Sequence, residues 1–310
     1  MGRSRKNKGR SIDGILIFDK PLEITSNTAL QKVKRIFNAN KAGHTGSLDR
    51  MASGLLPICL GEATKLSSFL LDSNKHYTAK AKLGVRTNTA DAEGEVIEER
   101  KIPEITEALL EHALSQFRGD IEQIPPMFSA LKVNGQRLYE LAYKGEEVER
   151  QPRPVTIYEL ILVSFTSDSF TIDVTCSKGT YIRTLVEDIG EALSCGAHVD
   201  TLRRLRAGPF HEEDMVSLEA LESRQEQGFE TLDELLWMPD QAVLHIPEVS
   251  LDESSTYYVM QGQAVRKSGS PTDGLVRLYD HKKVFLGIGK ILDDGRVAPK
   301  RLFNLHDHKD

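Results

Sequence analysis

The sequence predicts an α+β fold with a small β-rich module at its C-terminal end. Up to about residue 240, segments with the helical spacing of apolar residues are interspersed with segments of strand-like alternation. From about residue 248 the pattern changes to short strands broken by glycines, which is typical of a small β-barrel. The length of 310 residues agrees with two domains, since one domain usually takes roughly 150 residues.

The first part of the chain alternates strands and helices. The run ILIFDK after Gly14 is an apolar strand that ends at Pro21, and Ser26 is the expected N-cap of the helix that follows. Residues 42–56 are rich in glycine and show neither helical nor strand periodicity of apolar residues. The elements predicted next are an amphipathic helix over 63–73, a half-buried strand over 76–85 and a helix over 104–117.

The second part begins with an irregular segment. Residues 120–153 contain a Pro-Pro step and an Asn-Gly turn, which predict an excursion from the core rather than part of a sheet. Two strands joined by a polar turn follow, then a helix from about Thr180, and then an acidic stretch over 212–240 that we expect to form surface helix. The strands predicted for the last module are 258–266, 274–280, 284–292 and 296–303.

Composition excludes several classes of protein. No run approaches the roughly 18 to 20 apolar residues of a membrane span, and the N-terminus lacks the apolar core of a secretory signal. We therefore expect a cytoplasmic protein without a membrane partner. Cys59, Cys176 and Cys195 form no CxxC pair, so we expect reduced and mostly buried thiols rather than zinc ligands.

Charge is distributed unevenly along the chain. The net charge of −6 argues against a polyanionic partner. However, residues 1–50 hold eleven Lys and Arg against four Asp and Glu, whereas residues 211–250 hold one Arg against eleven acids. Residues 1–10 carry five positive charges and no acid, which predicts a disordered basic tail that is free to reach a polyanion. A merely solubilising tail is the alternative.

The glycine-rich segment AGHTGSLDRMASGLL, residues 42–56, is the first candidate site, with Asp49 in its middle. A nucleotide-phosphate loop is not expected, because the nearest string, GEATK at 61–65, lacks the Walker A spacing. A zinc site is also disfavoured, because His44 and Asp49 have no third and fourth ligand nearby. An isolated Asp in such a loop is most often a turn or helix-cap acid, and this segment alone leaves that alternative open.

Five stretches, taken together and in order, resemble the TruB-type pseudouridine synthases, which convert a uridine in the T loop of tRNA to pseudouridine. The resemblance runs from about Asp13 to about Gly208, and the segments GQAVRKSG and GRVAPKRL look like the C-terminal PUA module of that family. The five stretches are IFDKP (17–21), AGHTGSLDRMASGLLPICLGEATK (42–65), NKHYTAKAKLG (74–84), SKGTYIRTL (177–185) and TLRRLRAG (201–208).

The resemblance implies an architecture. It predicts a pseudouridine synthase catalytic domain with a mixed, mainly antiparallel sheet over residues 11–246. Residues 120–153 match the position of a family insertion that closes over the T arm. A PUA-like, RNA-binding β-barrel is implied over residues 247–310.

The resemblance further implies three catalytic residues, whose types fit the chemistry. Asp49 matches the essential aspartate, Tyr77 the tyrosine that stacks on the flipped base, and Arg183 the arginine paired with the catalytic carboxylate. Turning a base out of its stack costs a few kcal/mol, and stacking on an aromatic ring returns about 1 to 3 kcal/mol. A buried carboxylate drifts toward its neutral form, which a neighbouring guanidinium opposes.

Other positions match residues that surround the substrate in the family. His44 matches the histidine that helps to hold the disrupted T loop. The full set of substrate-binding residues implied by the resemblance is His44, Tyr77, Tyr181, Leu202, Lys20 and Pro21. More diffuse phosphate contacts are expected from two basic clusters, Lys132, Arg137 and Lys144 in the insertion, and Arg203, Arg204 and Arg206 near residue 205.

Arg50 departs from the family pattern, in which a proline usually follows the aspartate. A proline would hold the aspartate backbone in the extended region. Arg50 relaxes this restriction and adds a charge that could meet an RNA phosphate or shift the Asp49 equilibrium. The departure puts the rate and the loop rigidity in doubt, not the reaction type.

The expected partner is tRNA, recognised at its T arm, with uridine 55 as the target and no role for DNA. Isomerisation needs no redox or group-transfer partner, so no cofactor and no metal are expected, and a monomer is the default. Two alternatives stay open at this point. One is an RNA-binding or tRNA-folding protein with secondary catalysis, and the other is a synthase that acts on another RNA.

Overall fold

A mixed sheet of eight strands organises most of the chain. The computed structural model describes residues 9–133 and 135–304. Residues 1–8 of the predicted basic tail lie outside the described residues. Arg10 is described and anchored, because its N–H donates to the Asn38 carbonyl and its guanidinium pairs with Asp233 on the acidic segment.

Strands and helices alternate through the first two thirds of the chain. The strands are β1 (Gly14–Lys20), β2 (Ala42–His44), β3 (Ala52–Leu60), β4 (Lys75–Leu83), β5 (Val85–Thr87), β6 (Val96–Glu99), β7 (Gly119–Gln123), β8 (Lys132–Val133), β9 (Gln136–Arg137), β10 (Arg153–Phe165), β11 (Ser169–Cys176), β12 (Ala197–Ala207), β13 (Glu248–Ser250), β14 (Leu275–Tyr279), β15 (Phe285–Ile291) and β16 (Val297–Leu302). The α-helices are α1 (Ser26–Ile36), α2 (Ser67–Leu71), α3 (Glu107–Ser115), α4 (Leu138–Ala142), α5 (Ile182–Ala192), α6 (Leu218–Gln227), α7 (Phe229–Asp233) and α8 (Glu253–Met260).

The central sheet has the order β1-β3-β12-β4-β11-β10-β7, with β2 added beside β3. All of its neighbouring strands are antiparallel except β12 and β3, which run parallel. The predicted mixed, mainly antiparallel sheet is therefore confirmed. The parallel pair places the start of β3, directly after the glycine-rich loop, beside the middle of β12.

Both faces of the sheet are covered, which explains why β1 and β3 read as nearly continuous apolar runs. On one face, helices α1, α3 and α5 bury their apolar stripes, with Val33, Leu110 and Leu185 in the main core. On the other face, Ile15 and Leu55 pack against the segment that follows β3 and against the last module. The three cysteines are free and buried.

The predicted start of α1 is one residue late. Thr25, not Ser26, is the N-cap, since its side chain accepts from the Thr28 N–H at 3.0 Å. Both residues suit a cap, and the local pattern does not distinguish them. Ser26 instead turns inward and binds the backbone of Leu48 in the glycine-rich loop.

The prediction that 120–153 lies wholly outside the sheet is wrong at its two ends. Strand β7, Gly119–Gln123, pairs antiparallel with residues 153–157 of β10 at the edge of the central sheet. Ile121 packs against the core there, and Gln123 is buried. The excursion itself spans residues 124–152 and contains the short β8–β9 pair and α4.

The last module contains a small sheet in the order β13-β14-β15-β16 with its own apolar core. Three of its four predicted strands are confirmed. The fourth, 258–266, is wrong over its first residues, because Asp252 caps α8 by accepting from the Ser255 N–H at 2.8 Å. Val265 still bridges to Val297. Closure of this sheet into a barrel stays a prediction.

The last module also contacts the rest of the chain. Tyr279 and Phe285 join the core that covers Ile15 and Leu55. The Tyr279 hydroxyl donates to Asp240, 2.7 Å away. Among the described helices, none is both long enough and apolar enough to cross a membrane.

Candidate functional site

The glycine-rich loop connects β2 to β3 and is held at several points. The Thr45 N–H donates to the Pro57 carbonyl at 3.1 Å. Ser26 Oγ accepts from the Leu48 N–H at 2.8 Å and donates to the Leu48 carbonyl at 3.0 Å. Gly46 has φ +77°, a left-handed conformation that favours glycine. The loop therefore presents Asp49 from a fixed backbone.

Asp49 and Arg183 form the ion pair that the sequence predicts. Arg183 Nε lies 2.9 Å from Asp49 Oδ2, and the arginine side chain is 5% exposed whereas the aspartate is 46% exposed. The other guanidinium nitrogens donate to the Thr89 carbonyl and to the Phe128 carbonyl, each at 2.8 Å. Arg183 thus ties the loop, the turn after β5 and the excursion to the start of α5.

Asp91 is a second carboxylate on Arg183 that the sequence analysis missed. Its Oδ2 lies 3.3 Å from Arg183 Nη1, and its Oδ1 accepts from Thr89 Oγ1 at 2.6 Å. The side chain is buried. In the sequence it is one acid in the polar stretch NTADAEGE, a pattern equally typical of a solvent-exposed turn. Arg183 therefore stands between two carboxylates, of which Asp49 is exposed to solvent and Asp91 is not.

The pKa of Asp49 reflects two opposing effects. Surrounding protein raises the pKa of this carboxyl by desolvation, and Asp91 adds to the rise, while Arg183 and Lys20 lower it. Since 46% of the side chain remains exposed, water limits the desolvation in the free protein. The ion pair with Arg183 favours the charged carboxylate that a nucleophile or base requires.

Lys20 is buried below the loop and supports it through hydrogen bonds. Its Nζ donates to the carbonyls of Pro21 and Ile24 at 2.9 and 2.8 Å, and reaches the Arg50 carbonyl at 3.5 Å. Burial lowers the pKa of Lys20 to about 8, although Asp49 attracts its positive charge. Pro21 itself is exposed and contributes its backbone carbonyl.

Tyr77 and Leu202 come from neighbouring strands. Tyr77 lies on β4 and packs against the main core, and burial raises the pKa of its hydroxyl while the Arg204 guanidinium opposes the rise. Leu202 lies on β12, opposite Ala52 of β3 and Ala79 of β4. The sheet thus brings both predicted pocket residues close to the end of the loop.

Tyr181 precedes α5 and is fixed through its backbone. Gln123 Oε1 accepts from the Tyr181 N–H at 3.0 Å, and Gln123 Nε2 donates to the Tyr181 carbonyl at 3.2 Å. This two-point clamp was not predicted, because it depends on the β7–β10 pairing. Burial raises the pKa of the Tyr181 hydroxyl, and Arg183 opposes the rise. Tyr181 is the N-cap residue of α5 and lies two residues before Arg183.

His44 lies at the end of β2, and its Nδ1 is buried with no hydrogen-bond partner among the described residues. Burial, and then the Arg204 charge, lower the pKa of His44. Both effects favour the neutral form of the imidazole. In the part of the chain that is described, no three His, Cys, Asp or Glu side chains are placed to hold a metal.

The expected basic cluster near residue 205 is not one surface. Arg203 pairs with Asp19 through two contacts of 3.0 and 2.9 Å, and Arg204 is 1% exposed. Only Arg206 faces solvent without an ion pair among the described side chains. Alternation along β12 places Arg203 and Arg204 on opposite faces, and an irregularity in the β12–β4 pairing between Arg204 and Arg206 breaks the alternation before Arg206. Arg204 cannot reach an RNA phosphate.

Arg50 extends away from the loop. Its Nε lies 3.6 Å from Glu93 Oε1, and both side chains are largely exposed. Its carbonyl accepts from the Glu23 N–H at 3.0 Å as well as from Lys20. The residue that stands in place of the usual proline thus links the loop to the turn that carries Asp91.

Family comparisons agree with this arrangement. The chain matches the TruB family pseudouridylate synthase N-terminal domain over residues 34–182 and the tRNA pseudouridylate synthase B C-terminal domain over 183–244. It matches the C-terminal domain of pseudouridine synthase II TruB over 247–303. The residues that form the ion pair, Asp49 and Arg183, fall in consecutive matched regions.

Individual proteins and structures give the same result. The chain is 53% identical to tRNA pseudouridine synthase B of Yersinia pestis (strain Pestoides F), over 97% of this chain and 95% of that protein. It is 54% identical to the enzyme of the same name from Coxiella burnetii (strain Dugway 5J108-111), over 94% and 95%. Among solved structures, a chain of a Cbf5-Nop10-Gar1 complex is 29% identical with a TM-score of 0.71, covering 90% of this chain and 78% of that chain. On these grounds the chain belongs to the TruB family of pseudouridine synthases.

Proposed function

We propose that this protein isomerises uridine to pseudouridine in tRNA, and that its target is uridine 55 in the T loop. The observation that carries the proposal is the ion pair between the exposed carboxylate of Asp49, on the glycine-rich loop, and the buried guanidinium of Arg183. The base leaves the ribose through nitrogen, rotates and rejoins through carbon. No group from outside the substrate enters the product.

The residues around the Asp49–Arg183 ion pair take complementary roles in this proposal. Asp49 is the charged group that acts on the glycosidic bond, and Arg183 keeps it ionised and oriented. Tyr77 stacks on the flipped uracil and returns part of the cost of unstacking it. Tyr181 and Leu202 line the pocket for the nucleotide.

The loop and its supports take the remaining roles. His44, neutral and at the end of β2, contacts the T loop as it opens. Lys20, with the carbonyl of Pro21, holds the loop at the depth that the flipped nucleotide requires. Prepositioned supports of this kind lower the barrier because little needs to be ordered when substrate binds.

The RNA is held more broadly than at the pocket. We propose that the excursion over residues 124–152 closes over the T arm, since its exposed Lys132, Arg137 and Lys144 suit phosphate. Residues 247–303 act as a second RNA-binding module. The protein works as a cytoplasmic monomer, because the RNA itself supplies the partner surface.

The test is to map pseudouridine in an unmodified tRNA transcript by carbodiimide labelling and primer extension. The same RNA with cytidine at position 55 and the Asp49→Asn variant serve as blanks. Asp168→Asn, which removes a carboxylate from the turn between β10 and β11, is the matched control and should retain full turnover. A single stop at position 55 that disappears only with cytidine or with Asp49→Asn is the expected result.

Other outcomes would contradict the proposal in different ways. Tight tRNA binding without any stop would make the protein an RNA-binding or tRNA-folding factor. Stops elsewhere would move the target to another uridine. Turnover by Asp49→Asn at the wild-type rate would end the assignment of Asp49 as the acting group.

A further inference from the structure

Arg204 is the most deeply buried charged side chain near the loop whose role the proposed chemistry leaves open. It lies on β12 and is 1% exposed. Its Nε donates to the Leu55 carbonyl at 2.6 Å and its Nη2 donates to the Gly46 carbonyl at 2.9 Å. Within residues 9–133 and 135–304, no carboxylate lies within 4.0 Å of this guanidinium.

The turn at Gly46 rests directly on this guanidinium. A Cβ built at Gly46 would lie 3.4 Å from Arg204 Nη1 and 4.0 Å from Lys75 Cε. Two residues further along, Leu48 is fixed by Ser26, and Asp49 follows. Arg204 therefore supports one end of the short span of backbone that carries Asp49, and Ser26 supports the other.

Arg204 also lies opposite Tyr77 in the sheet and acts electrostatically on His44. Arg204 is opposite Tyr77 in the register between β12 and β4. Its charge opposes the rise in the pKa of the Tyr77 hydroxyl and contributes to the lowered pKa of His44. One buried side chain thus touches or influences the loop backbone, the stacking tyrosine and the loop histidine.

Burying this charge is costly. A cation removed from water without a carboxylate partner is stabilised only by its hydrogen bonds, and well-packed apolar residues often replace even paired buried charges at no loss of stability. Stability alone therefore gives no reason for an arginine here. Departures from simple packing rules of this kind tend to occur at functional sites.

We propose that Arg204 is a positioning residue for isomerisation, which holds the Gly46 turn and the Tyr77 strand in one register so that Asp49 and the stacking ring meet the flipped uridine together. The inference rests on the proposed function. It adds that the guanidinium acts from beneath the loop and does not contact RNA. Its charge adds to the effect of burial, which favours the neutral form of His44.

The test compares Arg204→Lys and Arg204→Met with wild type under single-turnover conditions at saturating tRNA. Lysine keeps the charge but cannot donate in two fixed directions, and methionine loses both. We expect the rate to fall by about 10- to 100-fold in both variants, as a displacement near 1 Å would cause. Affinity for tRNA should stay within about threefold, because the residue does not reach the RNA. Arg224→Met, an exposed arginine on α6, is the control.

The His44 pKa gives a readout that does not depend on activity. Measured by NMR on free protein, with His44→Gln to assign the signal, it should lie below 6.5 in wild type. It should rise in Arg204→Met and stay low in Arg204→Lys. A purely structural role would lower the melting temperature without changing the rate well below melting.

Two results would overturn the proposal. One is a folded Arg204→Met whose rate is within about twofold of wild type. The other, which remains available where Arg204→Met does not fold, is a folded Arg204→Lys whose rate is within about twofold of wild type. An inactive wild-type protein would instead defeat the proposed function and leave the His44 measurement standing.

Discussion

At the scale of single residues, Asp49 combines an accessible carboxylate with a backbone that is already fixed. The carboxylate is held by Arg183, and the loop on either side is held by Ser26 through Leu48 and by Lys20 through the Arg50 carbonyl. Little of the loop therefore needs to be ordered when RNA binds. The entropic cost of ordering the site is then small, which lowers the activation barrier for a reaction on a flipped base.

Replacing Arg50 by the usual proline should leave the loop intact. None of the described hydrogen bonds uses the Arg50 N–H, and its ion pair with Glu93 is exposed and worth at most about 1 kcal/mol. We expect Arg50→Pro to change stability by less than about 0.5 kcal/mol in urea unfolding. If Arg50 meets an RNA phosphate, the salt dependence of tRNA binding should weaken by about one unit of slope.

Glu93→Gln is the matched control for this change. It breaks the same ion pair and leaves Arg50 free to bind RNA, so its salt slope should equal or exceed that of wild type. Equal slopes for wild type, Arg50→Pro and Glu93→Gln would show that Arg50 does not contact a phosphate.

Lys20 predicts a loss of rate at alkaline pH. Below its pKa of about 8 the ammonium has three N–H groups, which match the carbonyls of Pro21, Ile24 and Arg50. Above that pKa the amine has two, so the longest contact, to Arg50, is the first to weaken. We expect the single-turnover rate to fall as pH rises through about 8.

Lys20→Met separates this effect from other titrations. Methionine does not ionise, so this variant should be slow at all pH values and lack the fall near pH 8. A fall of the same size and midpoint in Lys20→Met would assign the alkaline limb to another group.

At the scale of secondary-structure elements, the local sequence pattern predicts that a helix or strand exists better than it predicts which other element it pairs with or packs against. The strands β1 and β4 and the helices α3 and α5 were predicted close to their observed bounds, because periodicity is a local property. The β7 pairing, the helix α8 and the two-sided anchoring of Arg183 were not, because each depends on residues distant in sequence. The pairing of Asp91 with Arg183 and the burial of Arg204 were not predicted for the same reason.

Thr25 and Ser26 allow a matched test at the junction of α1 and the loop. Thr25→Ala removes the exposed N-cap, which should cost about 1 kcal/mol in urea unfolding and leave the rate nearly unchanged. Ser26→Ala leaves the Leu48 N–H and carbonyl unpaired in a buried position, which should cost about 1 to 3 kcal/mol and also slow isomerisation. Equal rates for the two variants would show that Ser26 serves the helix alone.

At the scale of the whole molecule, the last module contributes to the hydrophobic core that covers the central sheet, in addition to its proposed contact with RNA. Its own core, around Val259 and Val276, is separate. However, Tyr279, Phe285 and Phe303 cover one face of the central sheet. The sequence indicates two units by a change of pattern at about residue 248, but it cannot indicate that the second shields the first, since that depends on which faces meet.

Truncation after residue 246 should therefore destabilise the catalytic domain rather than simply remove an RNA contact. Each large apolar side chain taken from the interface forfeits roughly 1.5 to 3 kcal/mol, against a typical total of about 5 to 15 kcal/mol. We expect the melting temperature to fall by about 10 °C or more, with aggregation.

The double variant Lys300→Gln and Arg301→Gln is the control for this truncation. It changes only exposed side chains of the module, so it should weaken tRNA binding without lowering the melting temperature. A truncated protein that melts within about 2 °C of the full chain would show that the module does not support the sheet, and the loss of affinity could then be assigned to RNA contacts alone.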